Sequence, residues 1–215
     1  MAKKRRVIAY IDGFNLFYSC LKGTQNKWLD LEKLVTSFMQ PGDELVGIRY
    51  FTAKVSSNAN EPEKALKQQI YLEVLGLNPK IKIKLGRFSI HETKMPDAKT
   101  WNEGKIKMVN VIKTEEKGTD VNLAVQMVAD AKDNLFDYAM LFSNDSDMSY
   151  AIQIVKQQCK KQIGLFIARG AISYQSLKDH VLHIKHLGPQ AFANAQLPSE
   201  IQVRKDRIIK KPSDW

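Results

Sequence analysis

The chain has 215 residues, a formal net charge of +10, 44% hydrophobic and 26% charged residues, which suits one soluble α/β core. No apolar run approaches the ~20 residues of a membrane helix, so no membrane span is expected. The short apolar stretch after KKRR holds Asp12 and lacks a small-residue cleavage site, which argues against secretion.

VIAYID (7–12) reads as a buried strand by its length and continuous apolarity. FNLFYSCLK (14–22) and LDLEKLVTSFM (29–39) read as helices, the second with Asp30 near its start and Pro41-Gly42 past its end. ELVGIRYFTA (44–53) is a second strand, and EKALKQQIYLEVLG (63–76) is a helix stopped by Gly76 and Asn78-Pro79. KIKIKLGRFSI (80–90) alternates and suits an exposed or edge strand, open to pairing with a second copy in a homodimer. Residues 91–107 carry no period and read as an excursion. KMVNVIK (107–113) is a strand, TEEKGTD (114–120) a turn and VNLAVQMVADAK (121–132) an amphipathic helix.

FDYAMLFS (136–143) and QIGLFIA (162–168) are strands around a helix at 147–161. A short helix at 171–180 and a last strand at 180–187 follow. From Pro189 the composition marks a Gln/Ala/Pro linker and a basic end, dividing the chain into a domain at 1–188 and a tail at 189–215. Strands alternating with helices argue for a mainly parallel sheet with helices on both faces, whose chemistry gathers at the carboxyl edge of the strands.

Four acids fall at that edge. Asp12 ends the first strand, Asp120 opens a helix, and Asp145 and Asp147 follow the strand at 136–143. Singly, Asp120 reads as a helix-dipole partner, Asp145 as a turn former and Asp147 as an N-cap. Asp12 interrupts a buried strand, where a lone carboxylate is costly. If the acids meet, their repulsion calls for a cation, and carboxylate oxygens are what Mg²⁺ or Mn²⁺ prefers.

IDGFN (11–15), EKGTDVNLAVQM (116–127) and SNDSDM (143–148) together resemble the NYN domain family, the LabA-like branch of the PIN-like nucleases, over roughly residues 6–187. The resemblance implies a PIN-like (Rossmannoid) three-layer α/β/α sandwich with a mainly parallel sheet. It implies a cytoplasmic endoribonuclease that uses Mg²⁺ or Mn²⁺ on RNA, single-stranded or structured. Asp12, Asp120 and Asp145 would form the metal-holding catalytic core. Asp147 has two readings, an outer ligand or the cap of the helix that follows. Asn15 would orient Asp12 or touch a phosphate, Lys117 would meet a phosphate, and Ser143 would support the metal shell or the phosphate.

Three residues depart from the family pattern. Asn144 stands where Gly is common, Met148 replaces a Phe, and Gln126 stands where many relatives carry an Asp. The last removes one acid from the metal shell. The alternative is therefore a catalytically weak or inactive RNA-binding or adaptor module of the same fold.

Other features carry less. The two cysteines, Cys20 and Cys159, make no C-x-x-C pair and read as free thiols in a reducing cytosol. His180, His183 and His186 gather on one face neither as a helix nor as a strand, so they read as surface or partly packed histidines. Trp101, among Lys94, Lys99 and Lys105, has the composition of a base-stacking loop or of a loop anchor. The positive charge favours polyanions because phosphate contacts release counterions, and it serves solubility as well.

Overall fold

The computed structural model of the protein describes residues 4–57, 61–101, 104, 106–171, 174–204, 206–213 and 215. β1 (Arg5–Asp12) leads into α1 (Gly13–Leu16), which continues as a π-helical turn over Phe17–Leu21. α2 (Leu31–Thr36) starts on Asp30, whose carboxylate accepts the Lys33 N–H at 3.0 Å. β2 (Asp43–Ala53), α3 (Lys64–Gly76), β3 (Ile81–Pro96) and β4 (Met108–Lys117) follow, then α4 (Thr119–Lys132) and β5 (Tyr138–Phe142). A 3₁₀ turn at Ser146–Met148 precedes α5 (Ser149–Gln157), and β6 (Gln162–Ala168) and β7 (His183–Leu187) complete the sheet. Beyond them lie α6 (Pro189–Asn194), β8 (Glu200–Arg204) and β9 (Arg207–Lys210).

The seven strands run in the order β4-β3-β2-β1-β5-β6-β7, all pairs parallel except β3 with β4. β1 lies between β2 and β5, so the chain winds outward from it in both directions. Such a reversal opens a crevice at the carboxyl ends of the central strands. Alternation along β1 sorts its side chains between two cores. Val7, Ala9 and Ile11 pack with α2, α3 and α6, while Ile8 and Tyr10 pack with α4 and α5. Each such fully buried aliphatic side chain contributes roughly 1.5–3 kcal/mol.

The excursion expected at 91–107 is strand over its first part, 91–96. β3 continues to Pro96 and pairs antiparallel with β4 from Arg87↔Lys117 to Pro96↔Met108. Of the expected turn at 114–120, residues 114–117 are the end of β4, Gly118 is the turn itself, and Thr119 and Asp120 open α4, while 97–107 joins the two strands. This ribbon has no fully buried face, so it shows no alternating hydrophobic signal. Trp101 is exposed in that connection, and Lys105 lies outside the described residues. From Ile81 to Leu85, β3 pairs with β2 on one side and has no strand partner on the other among the described residues.

Two further expectations change. The helix read at 171–180 is a set of turns ending in a 3₁₀ turn at Lys178–His180, with Ile172 and Ser173 outside the described residues. The stretch from Pro189, read as a linker and a basic end, carries α6, β8 and β9 and packs on the core. Trp28 Nε1 donates to the Pro198 carbonyl at 2.7 Å, Leu197 N donates to the Trp28 carbonyl at 2.9 Å, and Arg207 forks onto Glu73 at 2.6 and 2.9 Å. Trp215 meets Tyr71 and Trp28 edge-on, with ring centroids 5.6 and 6.2 Å apart. No helix among the described residues is long and apolar enough to cross a membrane.

Candidate active site

At the carboxyl end of β1, Asp12 is 5% exposed and both its oxygens are engaged. Oδ1 accepts the Asn15 N–H at 2.9 Å and so caps α1; Oδ2 accepts the Ser143 hydroxyl at 3.2 Å. Ser143, just past β5, also accepts the Asp145 N–H at 3.2 Å. The Asn15 side chain reaches across to accept the Asn144 N–H at 3.4 Å. The SND turn is thus tied to α1 by Asn15 and to Asp12 by Ser143. Burial pushes the Asp12 carboxyl up, the Asn15 N–H and Ser143 hydroxyl pull it down, and the charge of Asp145 raises it again.

Asp120 reaches the same place from α4. Gly118 precedes the helix at φ +92°, the left-handed region where glycine bears no Cβ penalty, and this turn swings β4 into α4. The Asp120 carboxyl is pushed up to about 6 by burial first, then by the charges of Asp12, Asp145, Glu116 and Asp147. Asp145 caps the 3₁₀ turn through an Asp147 N–H at 2.9 Å and still lines the cleft. The turn-forming reading of that aspartate holds, and the same residue lines the cleft.

The cleft wall carries Asp12, Asp120 and Asp145, framed by Phe14, Tyr18 and Phe88. It also carries Glu116, to which the sequence reading assigned no role. Glu116 Oε1 accepts the Thr119 N–H at 3.0 Å and the Thr119 hydroxyl, fastening the start of α4 to β4. Had TEEKGTD been read as strand, period two would have put Thr114 and Glu116 on one face, and both line the cleft.

Two expected residues stand apart. Asp147 is exposed outside the cleft wall, and the Asp145 carboxylate rather than its own caps the turn; only its charge reaches Asp120. Lys117 is exposed at the end of β4, 3.6 Å from Glu115, and does not line the cleft.

Gln126 faces a different set of groups. Its Nε2 donates to Asp130 at 2.7 Å, and Asp130 also takes Arg49 at 3.0 Å and the Tyr10 hydroxyl at 2.9 Å. An aspartate at 126 would set a carboxylate against a buried ion pair, so the departure from the family pattern has a local reason.

The charged groups around the cleft are all carboxylates, the chemistry a hard divalent cation takes. Among the described residues no three Asp, Glu, His or Cys side chains close into a finished ligand set, so holding a cation requires rotation of these side chains inward. The histidines take separate partners: His180 meets Gln153 at 3.2 Å, His183 meets Tyr138 at 3.2 Å, and His186 stacks edge-on with Tyr174. Cys20 and Cys159 are free and half-buried, and burial pushes the Cys20 thiol up to about 11.

Comparison with known proteins agrees with this geometry. The NYN domain model matches residues 6–185. The 6-hydroxy-3-succinoylpyridine 3-monooxygenase of Pseudomonas putida is 30% identical over 98% of this chain and 75% of its own length. A crystal structure of a Vibrio parahaemolyticus protein of unknown function superposes with a TM-score of 0.56 at 16% identity, covering 87% of this chain and 96% of that one, which is a likeness of fold. The match over residues 6–185 and the shared length of the Pseudomonas relative have one conclusion: the chain belongs to the NYN domain family, within the PIN-like nuclease superfamily.

Proposed function

We propose that the protein is a divalent-metal-dependent endoribonuclease of the LabA-like branch of the PIN-like nucleases. One observation carries the reading: Asp12, Glu116, Asp120 and Asp145, from four separate segments, line one cleft at the sheet's point of reversal. The helices contributing to a core on each side of the sheet support a three-layer α/β/α sandwich. Asp12, Asp120 and Asp145 would hold Mg²⁺ or Mn²⁺, with Glu116 facing them and Asp147 at the rim. When bound, such an ion supplies Lewis-acid stabilisation of the charge that develops on a phosphodiester. The chain's own residues prepare the place. Ser143 and the Asn15 N–H hold the Asp12 carboxylate in one orientation, the Asn15 side chain fixes the Asn144 turn, and Glu116 sets the pitch of α4. The excess of lysine draws the polyanion, and phosphate contacts of that kind position without reading sequence. Free thiols suit a reducing compartment, and the cytoplasm is the expected one.

Purified protein with Mn²⁺ should cut single-stranded or structured RNA, and Asp12→Asn should not. Absence of cleavage on both substrate classes, or equal cleavage by both proteins, overturns the reading. RNA affinity that falls steeply with salt, without cleavage, would instead identify a binding or adaptor module.

A second reading has its own observation. The Pseudomonas relative bears the name of a monooxygenase acting on a pyridine, and an aromatic cavity adjoins the acidic cleft here. Dioxygen uptake with a hydroxylated succinoylpyridine and a two-electron donor, abolished in Asp12→Asn, would favour that chemistry.

A further inference from the structure

We propose that the aromatic cavity beside the acidic cleft receives one unstacked base of a single-stranded RNA whose adjoining phosphate lies at the acids; the assignment rests on the ribonuclease reading above. The cavity is open at its mouth and is lined mostly by aromatic and aliphatic side chains. Phe14 and Tyr18 belong to its wall and to that of the acidic cleft, so the two spaces lie side by side with these residues between them.

That helix is unusual at this point. Directly after α1 the backbone widens into the π-helical turn Phe17–Leu21, a rare conformation frequent at functional sites. Phe17, Tyr18 and Leu21 from this turn all face the cavity. Gly13 makes the approach possible: a Cβ there would lie 2.7 Å from the Tyr50 hydroxyl and 2.8 Å from the Phe51 carbonyl. The Tyr50 ring, buried beneath, is both a cavity wall and within electrostatic reach of Asp12. Tyr71, held by its hydroxyl to the Leu29 carbonyl at 2.8 Å, and Trp215 supply the far side.

Flat rings on several sides suit a flat ligand, and stacking of this kind tolerates any base. The polar lining agrees with weak discrimination. Gln68 uses its amide internally, donating to the Ala53 carbonyl and accepting the Val55 N–H, both at 2.8 Å. Lys64, on the rim, is 3.0 Å from Glu61. Lys22 stands 5.2 Å over the Tyr18 ring at the adjoining mouth, where a neighbouring phosphate would pass. A base held this way is out of any duplex, so the site selects single strands.

The test is binding without metal, in chelator, so that nothing is cut. Wild-type protein should bind a single-stranded RNA hexamer about tenfold more tightly than the same hexamer carrying one abasic ribose at the preferred position, the loss expected for one stacked base. Tyr18→Ala, at a side chain 53% exposed that can be removed without opening the core, should bring that ratio close to one. Trp215→Ala should do the same. Equal affinity for the two hexamers, or an unchanged ratio in Tyr18→Ala, overturns the proposal. Cleavage with Mn²⁺ is scored separately. Cleavage without base dependence overturns the cavity assignment alone. Base-dependent binding by a protein that never cuts upholds the cavity and overturns the nuclease reading. A hydroxylated succinoylpyridine that saturates the tryptophan fluorescence change, while RNA produces none, overturns the assignment to a nucleic-acid base.

Discussion

The two ends of β1 treat carboxylates in opposite ways. At the amino end Arg5 holds Asp43 at 2.7 Å and Arg6 holds Asp137 at 2.8 Å. The Arg6 hydrogen bond keeps the Asp137 carboxyl well below its usual range. Burial alone would raise Asp43, but hydrogen bonds from Arg5 and the Gln40 N–H together with the Arg5 charge bring it down. At the carboxyl end, acids face acids. No lysine or arginine lines the cleft among the described residues, and Asp120 is pushed up to about 6. Two residues of the basic run KKRR thus neutralise the sheet's closed end, while the open end keeps a charge deficit that a dication would fill. One end pairs its carboxylates in support of the fold; the other crowds them together at a cost in stability.

The largest test of this contrast is Asp12→Asn. The amide keeps the shape and can still accept the Asn15 N–H, so folding should persist, while Mn²⁺-dependent RNA cleavage should fall by more than about 100-fold, beyond what a supporting group supplies. Retention of half the wild-type rate would end the contrast as a functional one. Next, Mn²⁺ must displace the proton that the crowded Asp120 carboxyl retains below about 6. The apparent Mn²⁺ affinity, measured by titration calorimetry, should therefore rise by up to about tenfold per pH unit below that value and level off above it. A flat profile from pH 5 to 7 would deny the crowding.

Two stability measurements should then move in opposite senses. Between about pH 4, the ordinary carboxylate range, and about 6, folded protein keeps the Asp120 proton that unfolded chain has released, so stability falls as pH rises through that window. In chelator, Asp120→Asn should melt a few degrees higher than wild type above about pH 6 and equally below about pH 4. Asp137 is the mirror case. Its depressed carboxyl contributes stability above its ordinary value near about 4, and this is lost as pH falls through its lower folded value. Asp137→Asn should melt lower at neutral pH, with the deficit shrinking below about pH 4. Melting curves of equal sign for the two variants would show that the ends do not differ. The smallest effect belongs to Lys117→Ala, where an exposed lysine beside Glu115 should change cleavage less than about threefold.

Much of this arrangement was legible because it depends on local punctuation. Asp12 interrupts a buried apolar run, Gly118 breaks β4 before α4, and SNDSD closes YAMLF; with parallel strands, those features must meet at one edge. Glu116 and Lys117 were not legible in their roles. Their neighbours at 87–96 and 108–117 form a ribbon with no fully buried face, so hydrophobic period gave little sign of its extent, although Thr93, Val109, Val111, Ile112 and Thr114 carry β-branched propensity. Without the strand, the alternation that turns Glu116 into the cleft and leaves Lys117 outside it was hidden. The π-helical turn at Phe17–Leu21 was equally out of reach, since FNLFYSCLK has an ordinary helical composition. The chain beyond Pro189 misled for another reason. Its composition is that of a linker, but apolar residues in it, Phe192, Ile209 and Trp215 among them, find places prepared by distant parts of the chain.

That last stretch bears on how the protein can be divided. The family match ends at residue 185, yet Trp28 lies under Pro198 and Trp215, and Asp30 N donates to the Ala195 carbonyl at 2.8 Å. Shared ancestry and physical autonomy therefore have different borders here. A chain shortened to the family's limits would keep every acid of the cleft, yet its tryptophan and tyrosine would stand bare to water, and self-association through that bared face would be its natural fate.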